Sequence, residues 1–277
     1  MKIKNHRLFH DDNSQVDFVA TNNKGETIEP RYLIMHYTAT PSAENAINWF
    51  KNPRSRASAH VVVSRDGKVT QMVPFNLKAW HAGQSEWNNL IGMNNYSIGI
   101  ELENAGKLAP HTNNKWRAWF GDLYGEDQVL TATHKFDDSP AGWHLFTREQ
   151  LLAAVEVAVA VVDHYGLVEV LGHDDIAPTR KVDPGPAFPM LSFRSKVMGR
   201  QDDSSRLYET TTDLNIRSGP GVNYDVLDLS PLKEGTRVEI LNSFNVWKFV
   251  QVVNHPKKSE ARGWVHGKYL QELDFIY

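Results

Sequence analysis

The chain has 277 residues, no cysteine and a formal net charge of −3 at pH 7. Its length favours two domains, and the missing cysteine excludes disulfide bonds, thiolate metal sites and a cysteine nucleophile. The weak negative charge argues against electrostatic capture of nucleic acid. We expect no classical signal peptide, because the N-terminus lacks an apolar core, and no membrane insertion, because the most apolar stretch, residues 151–162, is too short to span a bilayer.

The first predicted elements place a histidine in an apolar strand. Residues 1–30 are polar and weakly patterned, and we interpret them as a lead-in with one short strand near residues 16–20. An apolar strand follows at residues 32–37 and contains His36. Ser42 then caps a predicted helix that ends before the next proline.

A hairpin and an alternating strand come next. Residues 59–64 and 68–73 are apolar runs joined by a turn that contains Asp-Gly, which is a strong hairpin signal. Along residues 97–103 the apolar side chains point to one side, and Glu101 and Glu103 point to the other. If the apolar side packs on a core, both carboxylates face a cleft. The alternation does not distinguish between them.

Two helices complete the first predicted domain. Thr147 begins a capping box, and apolar positions at helical spacing continue until Gly166. A further helix is predicted for residues 189–198. Strands interleaved with helices predict an α/β domain, with a mixed central sheet flanked by helices, over residues 31–198.

The last part of the chain has a different character. Residues 199–206 are polar and predict a linker. In residues 207–277 short β-type runs alternate with Gly and Pro turns, and no stretch has helical periodicity over a helix length. We therefore predict a small all-β barrel after the linker.

A proline-rich loop at residues 172–188, GHDDIAPTRKVDPGPAF, carries His173, Lys181 and Asp183. Its prolines argue against a helix, and the proline after Asp183 favours extended backbone at that residue. His36, His173 and Asp183 together offer three ligands to one metal ion. They leave a fourth position open for water, as in catalytic zinc sites. The alternative is a solvated loop in which Lys181 and Asp183 form an exposed ion pair.

Residues 31–198 resemble the zinc-dependent N-acetylmuramoyl-L-alanine amidases of the amidase-2 type, which include muropeptide-recycling amidases, phage endolysins and peptidoglycan recognition proteins. The resemblance depends on strings that occur in order: IMH at 34–36, SAH at 58–60, DG at 66–67, VP at 73–74, AWHAG at 79–83, SIGIELE at 97–103 and the loop at 172–188. The tail resembles bacterial SH3-like cell-wall modules through LNIRSGPG at 214–221, GTRV at 235–238 and GWV at 263–265.

The resemblance implies a peptidoglycan hydrolase that uses zinc-activated water to cleave the amide between N-acetylmuramic acid and L-alanine of the stem peptide. By this resemblance His36, His173 and Asp183 match the zinc ligands. Glu101 matches the catalytic carboxylate, and Lys181 matches the cation near the scissile carbonyl. The alternative is a catalytically silent protein that recognises peptidoglycan or muropeptides without cutting them.

Three residues are candidates for substrate contact. Trp80 and His81 are predicted to line the cleft, since a sugar offers C–H faces to an indole. His60 lies in a β-type run and is either a hydrogen-bonded core histidine, a support for the site or a substrate contact. We interpret Asp174 and Asp175 as hydrogen-bond acceptors that order their loop rather than as metal ligands.

A long insertion at about residues 105–146 departs from the family pattern and is rich in aromatic residues. A loop of this length is usually functional or disordered. Its aromatic side chains either extend a substrate groove or form a satellite core over the edge of the sheet.

The expected site of action is the bacterial cell wall. Without a classical signal peptide, delivery by phage lysis, delivery by a specialised secretion route and cytoplasmic recycling all agree with the sequence. The tail that resembles wall-binding modules favours the first two.

Overall fold

A mixed six-stranded sheet forms the centre of the N-terminal region in a computed structural model that describes residues 1–113, 115–199, 207–253 and 261–273. In chain order this region begins with β1 (Lys2–Lys4), β2 (Arg7–Phe9), β3 (Asp17–Phe18), β4 (Lys24–Thr27), β5 (Tyr32–Tyr37), α1 (Ala43–Lys51), β6 (Val61–Val63), β7 (Val69–Gln71), β8 (Leu77–Ala79), β9 (Glu86–Trp87), β10 (Leu90–Ile91) and β11 (Ser97–Leu102). It continues with β12 (Lys107–His111), β13 (Lys115–Arg117), β14 (Leu123–Gly125), β15 (Val129–Thr133), β16 (Pro140–His144), α2 (Arg148–Tyr165), β17 (Glu169–Gly172), α3 (His173–Ile176) and α4 (Met190–Met198).

The order of the central sheet is β17-β5-β11-β6-β7-β3. β5 pairs in parallel with β17 and β11, and β11 pairs in parallel with β6. β6 and β7 form the predicted antiparallel hairpin, and Gly67 in its turn has a φ of 84°. The predicted mixed α/β class is confirmed.

Alternation along the parallel strands separates the two faces of the sheet. One face packs against α2 in the main core, and its residues include Leu33, Met35, Ile98, Ile100, Leu102, Ala154, Val157 and Val161. The opposite face carries His36 of β5 and Glu101 of β11, which are register partners. Because side chains two apart share a face, the apolar positions also fix the direction of these two polar side chains.

Residues 1–30, expected to be a lead-in, are part of the folded N-terminal region. β1 and β2 form a hairpin, β3 pairs in parallel with β7, and β4 pairs with β8. Leu8 and Val16 are buried in the main core. Of the strands in residues 1–30, β3 forms one edge of the central sheet, and the others belong to two separate two-stranded sheets.

The two longer helices begin where the sequence predicts. The Ser42 side chain accepts a backbone N–H at the start of α1, and the Thr147 side chain does the same for α2, which ends at Gly166 with a φ of 62°. The capping box is half formed, because the buried Gln150 side chain donates instead to the Val63 carbonyl at 3.0 Å. Within the described residues, no helix combines the length and the apolar character that crossing a membrane requires.

Residues 105–146 form an antiparallel sheet, not the loop that the sequence led us to expect. The strand order is β14-β13-β12-β16-β15. Its strands are only three to five residues long, which is too short for a clear alternating pattern. Most of its aromatic residues support the satellite-core interpretation, since Trp116, Phe120 and Tyr124 pack on a small buried cluster and Trp143 joins the main core.

The C-terminal region is a five-stranded antiparallel sheet with the order β21-β20-β19-β18-β22. Its strands are β18 (Leu207–Thr210), β19 (Arg237–Phe244), β20 (Trp247–Val252), β21 (Arg262–His266) and β22 (Leu270–Glu272). Leu214 and Arg217, which lie between β18 and β19, form isolated bridges. The C-terminal region has a separate buried apolar cluster, which includes Ile216, Val238 and Val250. The SH3-like barrel and the domain boundaries stay predictions, and the predicted linker at 199–206 lies, apart from Gly199, outside the described residues.

The C-terminal sheet packs on the N-terminal region through aromatic side chains. Phe249 and Trp264 belong to the same buried cluster as Phe188 and Phe193. Polar contacts cross the same boundary: Asn242 Nδ2 donates to the Pro186 carbonyl at 3.0 Å, Arg262 Nη1 to the Phe146 carbonyl at 2.8 Å, and Ser192 Oγ to Glu239 Oε1 at 2.7 Å. The two regions therefore share part of one core.

Trp264→Ala is expected to lower the free energy of unfolding by about 3–5 kcal/mol, because it leaves a cavity in that shared core. A urea titration measures the loss. The matched control is Val246→Ala, a 55% exposed apolar residue of the same region, which should change stability by no more than about 0.5 kcal/mol. Equal effects of the two substitutions would contradict the shared core.

Candidate metal centre and catalytic cleft

Two imidazoles and a carboxylate meet near the end of β5. His36 Nδ1 lies 2.9 Å from His173 Nδ1 and 3.0 Å from Asp183 Oδ2. His173 Nδ1 lies 3.0 Å from the same oxygen, and all three side chains are buried. The sequence predicts that these residues meet, and the structure brings them together.

Neighbouring parallel strands explain the meeting. β17 runs beside β5 with Gly172 opposite Met35, so His173, the next residue, reaches the same edge as His36. The Asp174 N–H donates to the Asp183 carbonyl at 2.8 Å and closes the loop between the two candidate ligands. The loop starts with one helical turn, α3, although its prolines argued against helix, because the first proline comes only after that turn.

The proton of His173 lies on the ring nitrogen that points away from the centre. Its Nε2 is 3.0 Å from the Ala82 carbonyl oxygen. Since a carbonyl only accepts, Nε2 of the neutral ring carries the hydrogen. The lone pair of Nδ1 therefore points toward Asp183.

A chain of hydrogen bonds gives His36 the same orientation. The Ser97 hydroxyl donates to the Met93 carbonyl at 2.6 Å, so its oxygen accepts from His81 Nε2, 3.4 Å away. His81 Nδ1 is then an acceptor, and it lies 3.0 Å from His36 Nε2. His36 consequently carries its hydrogen on Nε2 and turns the lone pair of Nδ1 toward the centre.

The three inward atoms suit a divalent cation. With both imidazoles in these tautomers, two nitrogen lone pairs and an ionised carboxylate face one another without a hydrogen, and such groups repel unless a positive charge lies between them. In tetrahedral zinc sites the ligand atoms lie about 2.0–2.1 Å from the ion and thus about 3.3 Å apart. The observed separations of 2.9–3.0 Å are close to that spacing. The donor set therefore fits zinc.

Burial keeps His36 available as a neutral ligand. Burial first, and the charge of His173 second, lower the pKa of His36 to about 4. The ring is therefore neutral at pH 7 and offers its lone pair.

A cleft of about 350 Å³ opens beside these three residues. Both catalytic candidates, Glu101 and Lys181, line it, together with Trp80 and His81. A larger cavity of about 530 Å³ lies between the insertion, α4 and the C-terminal sheet, but His36, His173 and Asp183 do not line it. We therefore place the chemistry in the smaller cleft.

Glu101 has the environment of an acid or base. It is buried, and its Oε2 has no hydrogen-bond partner among the described residues. Burial first, and repulsion from Asp183 second, raise the pKa of Glu101 to about 8, while Lys181 acts in the opposite direction. A carboxyl group with a pKa close to the working pH both accepts and donates a proton readily.

Glu103 does not share this position, although the alternation placed both carboxylates on one side. β11 ends before it, and its Oε2 accepts the Arg65 N–H at 3.1 Å. It does not line the cleft. The end of the strand separates two residues that the pattern left equivalent.

His60 and His81 both lie under the cleft. His60 is fully buried, with Nδ1 accepting the Gly99 N–H at 3.0 Å and Nε2 donating to the Leu77 carbonyl at 2.9 Å. These contacts support the core-histidine interpretation. His81 lines the cleft, but its ring nitrogens face His36 and Ser97, which gives it a supporting position.

Asp174 and Asp175 have the ordering contacts that we expected. Asp174 Oδ2 lies 2.9 Å from His134 Nε2, and Asp175 Oδ2 accepts the Gly172 N–H at 2.7 Å. Neither belongs to the group of inward ligand atoms. Their role is to fix the loop that carries His173.

Three further residues support the site without having been predicted from the sequence: Ser97, Gly99 and Arg180. Ser97 and Gly99 lie on the same face of β11 as Glu101. The alternation of side chains along the strand could therefore have identified them as neighbours of the site. A Cβ on Gly99 would lie 2.5 Å from the His81 ring, and glycine therefore leaves room for that imidazole. Arg180 Nη2 donates to the Ala82 and Gln84 carbonyls at 2.7 and 2.6 Å, and no local pattern indicated this contact.

Comparison with known proteins identifies the family of the chain. The sequence model of the family described as N-acetylmuramoyl-L-alanine amidase, Amidase_2, matches residues 26–186, which include all five candidate metal and catalytic residues. The 1,6-anhydro-N-acetylmuramyl-L-alanine amidase AmpD of Escherichia coli K12 is 30% identical over an alignment of 187 residues, and the match covers 61% of this chain and 82% of that protein. The N-acetylmuramoyl-L-alanine amidase A of Achromobacter lyticus is 41% identical over 173 residues, which cover 60% of this chain and 82% of that protein.

A solved structure extends the similarity to the fold. The crystal structure of a selenomethionine AmpD derivative matches with a TM-score of 0.50 and 25% identity, and the match covers 71% of this chain and 99% of that chain. Since the family match spans more than half of the sequence, the chain belongs to the N-acetylmuramoyl-L-alanine amidase family.

Proposed function

We propose that the chain hydrolyses peptidoglycan with Glu101 and Lys181 beside a zinc ion held by His36, His173 and Asp183. As a member of its family it is an N-acetylmuramoyl-L-alanine amidase, which cleaves the amide between N-acetylmuramic acid and L-alanine. One observation carries the metal proposal: three unprotonated ligand atoms converge at 2.9–3.0 Å.

The chain's own residues move the protons. When bound, zinc would polarise the scissile carbonyl and lower the pKa of its bound water to about 7. Glu101 takes a proton from the attacking water through its free Oε2 and returns it to the leaving nitrogen of L-alanine. Lys181 places a positive charge in the same cleft, where it stabilises the oxyanion that forms at the carbonyl.

The cleft walls bind the sugar and hold the ligands in place. Trp80 lines the cleft, and we assign its indole to the C–H face of the reacting sugar. His81 acts as a positioning residue, since its Nδ1 accepts a hydrogen bond from the Nε2–H of His36, which points away from the metal site. The Arg180 contact with the Ala82 carbonyl ties the loop that carries Asp183 to the segment after β8 that contains His81.

The C-terminal sheet is assigned to wall attachment. Its antiparallel strands, its own apolar core and its SH3-like strings support a module that binds peptidoglycan. We propose that the protein acts on the cell wall after delivery by phage lysis or by a specialised secretion route.

Metal removal should abolish activity. Chelation is expected to stop the release of peptide from purified sacculi, and added zinc should restore it. Elemental analysis should find zinc in the wild type but not in His36→Ala or Asp183→Ala, because two ligands hold zinc far less tightly than three. The control is His164→Ala, an exposed histidine of α2, which should keep the metal. Full zinc occupancy in Asp183→Ala would refute its role as a ligand.

Glu101→Gln should keep zinc and lose turnover by at least about 10²-fold, because the amide cannot carry the proton. Steady-state rates on a soluble muropeptide and zinc content measure the two effects. Glu103→Gln is the matched control and should retain activity, since its side chain binds the Arg65 N–H outside the cleft. An unchanged rate in Glu101→Gln would remove Glu101 from the mechanism.

His81→Phe should weaken zinc binding about 10–100-fold, because the His36 Nε2–H loses its acceptor and the ring is no longer fixed. Competition with a chromophoric chelator measures the affinity. Trp80→Phe alters the neighbouring residue in the same cleft and should leave zinc affinity unchanged. If His81→Phe binds zinc as tightly as the wild type, the hydrogen-bond chain does not position His36.

A further inference from the structure

The β13–β14 hairpin of the insertion places Trp119 at the rim of the catalytic cleft. Trp119 Nε1 donates to the Ala39 carbonyl at 2.8 Å, and Ala39 lines the cleft. The hairpin tip is a turn closed by the Gly121 N–H and the Ala118 carbonyl at 3.0 Å. The insertion therefore reaches the wall of the site that contains Glu101.

Trp119 is held in one orientation while its ring stays open to solvent. The side chain is 77% exposed, unlike Trp116, Phe120 and Tyr124, which pack on the satellite core. Its N–H is bound by Ala39, and its ring meets Phe120 edge-on at 5.7 Å. A fixed, exposed indole is a suitable platform for an apolar face of a ligand.

The cleft alone is small for a polymeric substrate. Its volume of about 350 Å³ is near the lower end of the range of about 300–1,000 Å³ for small-molecule pockets. In polymeric peptidoglycan the reacting muramic acid continues into further sugars, and those sugars must lie over the rim. Trp49, 54% exposed and part of the cleft lining, is a second indole on that rim.

We propose that Trp119 forms a subsite for a neighbouring sugar of the glycan strand, with the indole against the C–H face of a pyranose. The hairpin tip, AWFG at residues 118–121, carries no charged side chain, which suits a neutral sugar better than an ionic ligand. The inference rests on the proposed function and deepens it. It makes the preferred substrate a polymeric glycan strand rather than a small soluble muropeptide.

Kinetics on two substrates test the subsite. Trp119→Ala should lower kcat/KM about tenfold on peptide-bearing glycan strands, and by less than about twofold on a monomeric muropeptide, because only the strand reaches the rim. Trp119→Phe, which keeps an aromatic face, should lie between Trp119→Ala and the wild type. Phe136→Ala removes an aromatic residue of the same insertion, 52% exposed, and should leave both rates unchanged.

Two kinetic outcomes would overturn the subsite. Equal losses on both substrates would show that Trp119 only supports Ala39 and the cleft wall. An unchanged rate of Trp119→Ala on strands would show that no sugar binds there.

A binding measurement separates the subsite from the amidase reaction. Glycan strands stripped of their peptides contain no scissile amide, and isothermal titration should show about tenfold weaker binding to Trp119→Ala than to the wild type. That result would uphold the subsite even if the wild type cleaved no amide. Equal binding by the two proteins, or no binding by the wild type, would reject the subsite while leaving the amidase function intact.

Discussion

The mutual repulsion of three electron-rich atoms is the constraint on which the site depends. His36, His173 and Asp183 direct their lone pairs at one point, at separations of 2.9–3.0 Å. Their surroundings maintain this arrangement, because each imidazole proton has an acceptor on the outer side: a backbone carbonyl for His173 and the His81 ring for His36. A divalent cation would turn this repulsion into attraction, and its binding would then add to the stability of the fold.

The parallel sheet makes such a site possible from distant parts of the chain. His36 and Glu101 are register partners on β5 and β11, and β17 delivers His173 to the same edge. On the other face, apolar residues of the same strands pack against α2. The hydrophobic pattern that buries one face therefore also directs the candidate catalytic side chain of Glu101 into the cleft. A slip of one residue in the register of β11 would turn Glu101 into the core.

Local signals in the sequence predicted the parts of the fold that depend on local physics. The Asp-Gly hairpin, the Ser42 cap and the end of α2 at Gly166 all formed where their patterns indicated. The strands of the insertion were not predicted, because they are too short to show an alternating pattern. The strand pattern left Glu101 and Glu103 equivalent. The family resemblance favoured Glu101, and in the structure the end of β11 separates the two. The hydrogen-bond acceptors behind the two histidines are contacts between distant segments, which no local pattern contains.

The C-terminal sheet supports the loop that carries Asp183. Asn242 binds the Pro186 carbonyl, and Trp264 shares a buried cluster with Phe188, a few residues from that aspartate. Swapping this tail for one from a relative would thus remove contacts that support the loop carrying Asp183. A chimera would have to bring a matching aromatic interface with it, so the C-terminal sheet is not freely interchangeable with an unrelated one.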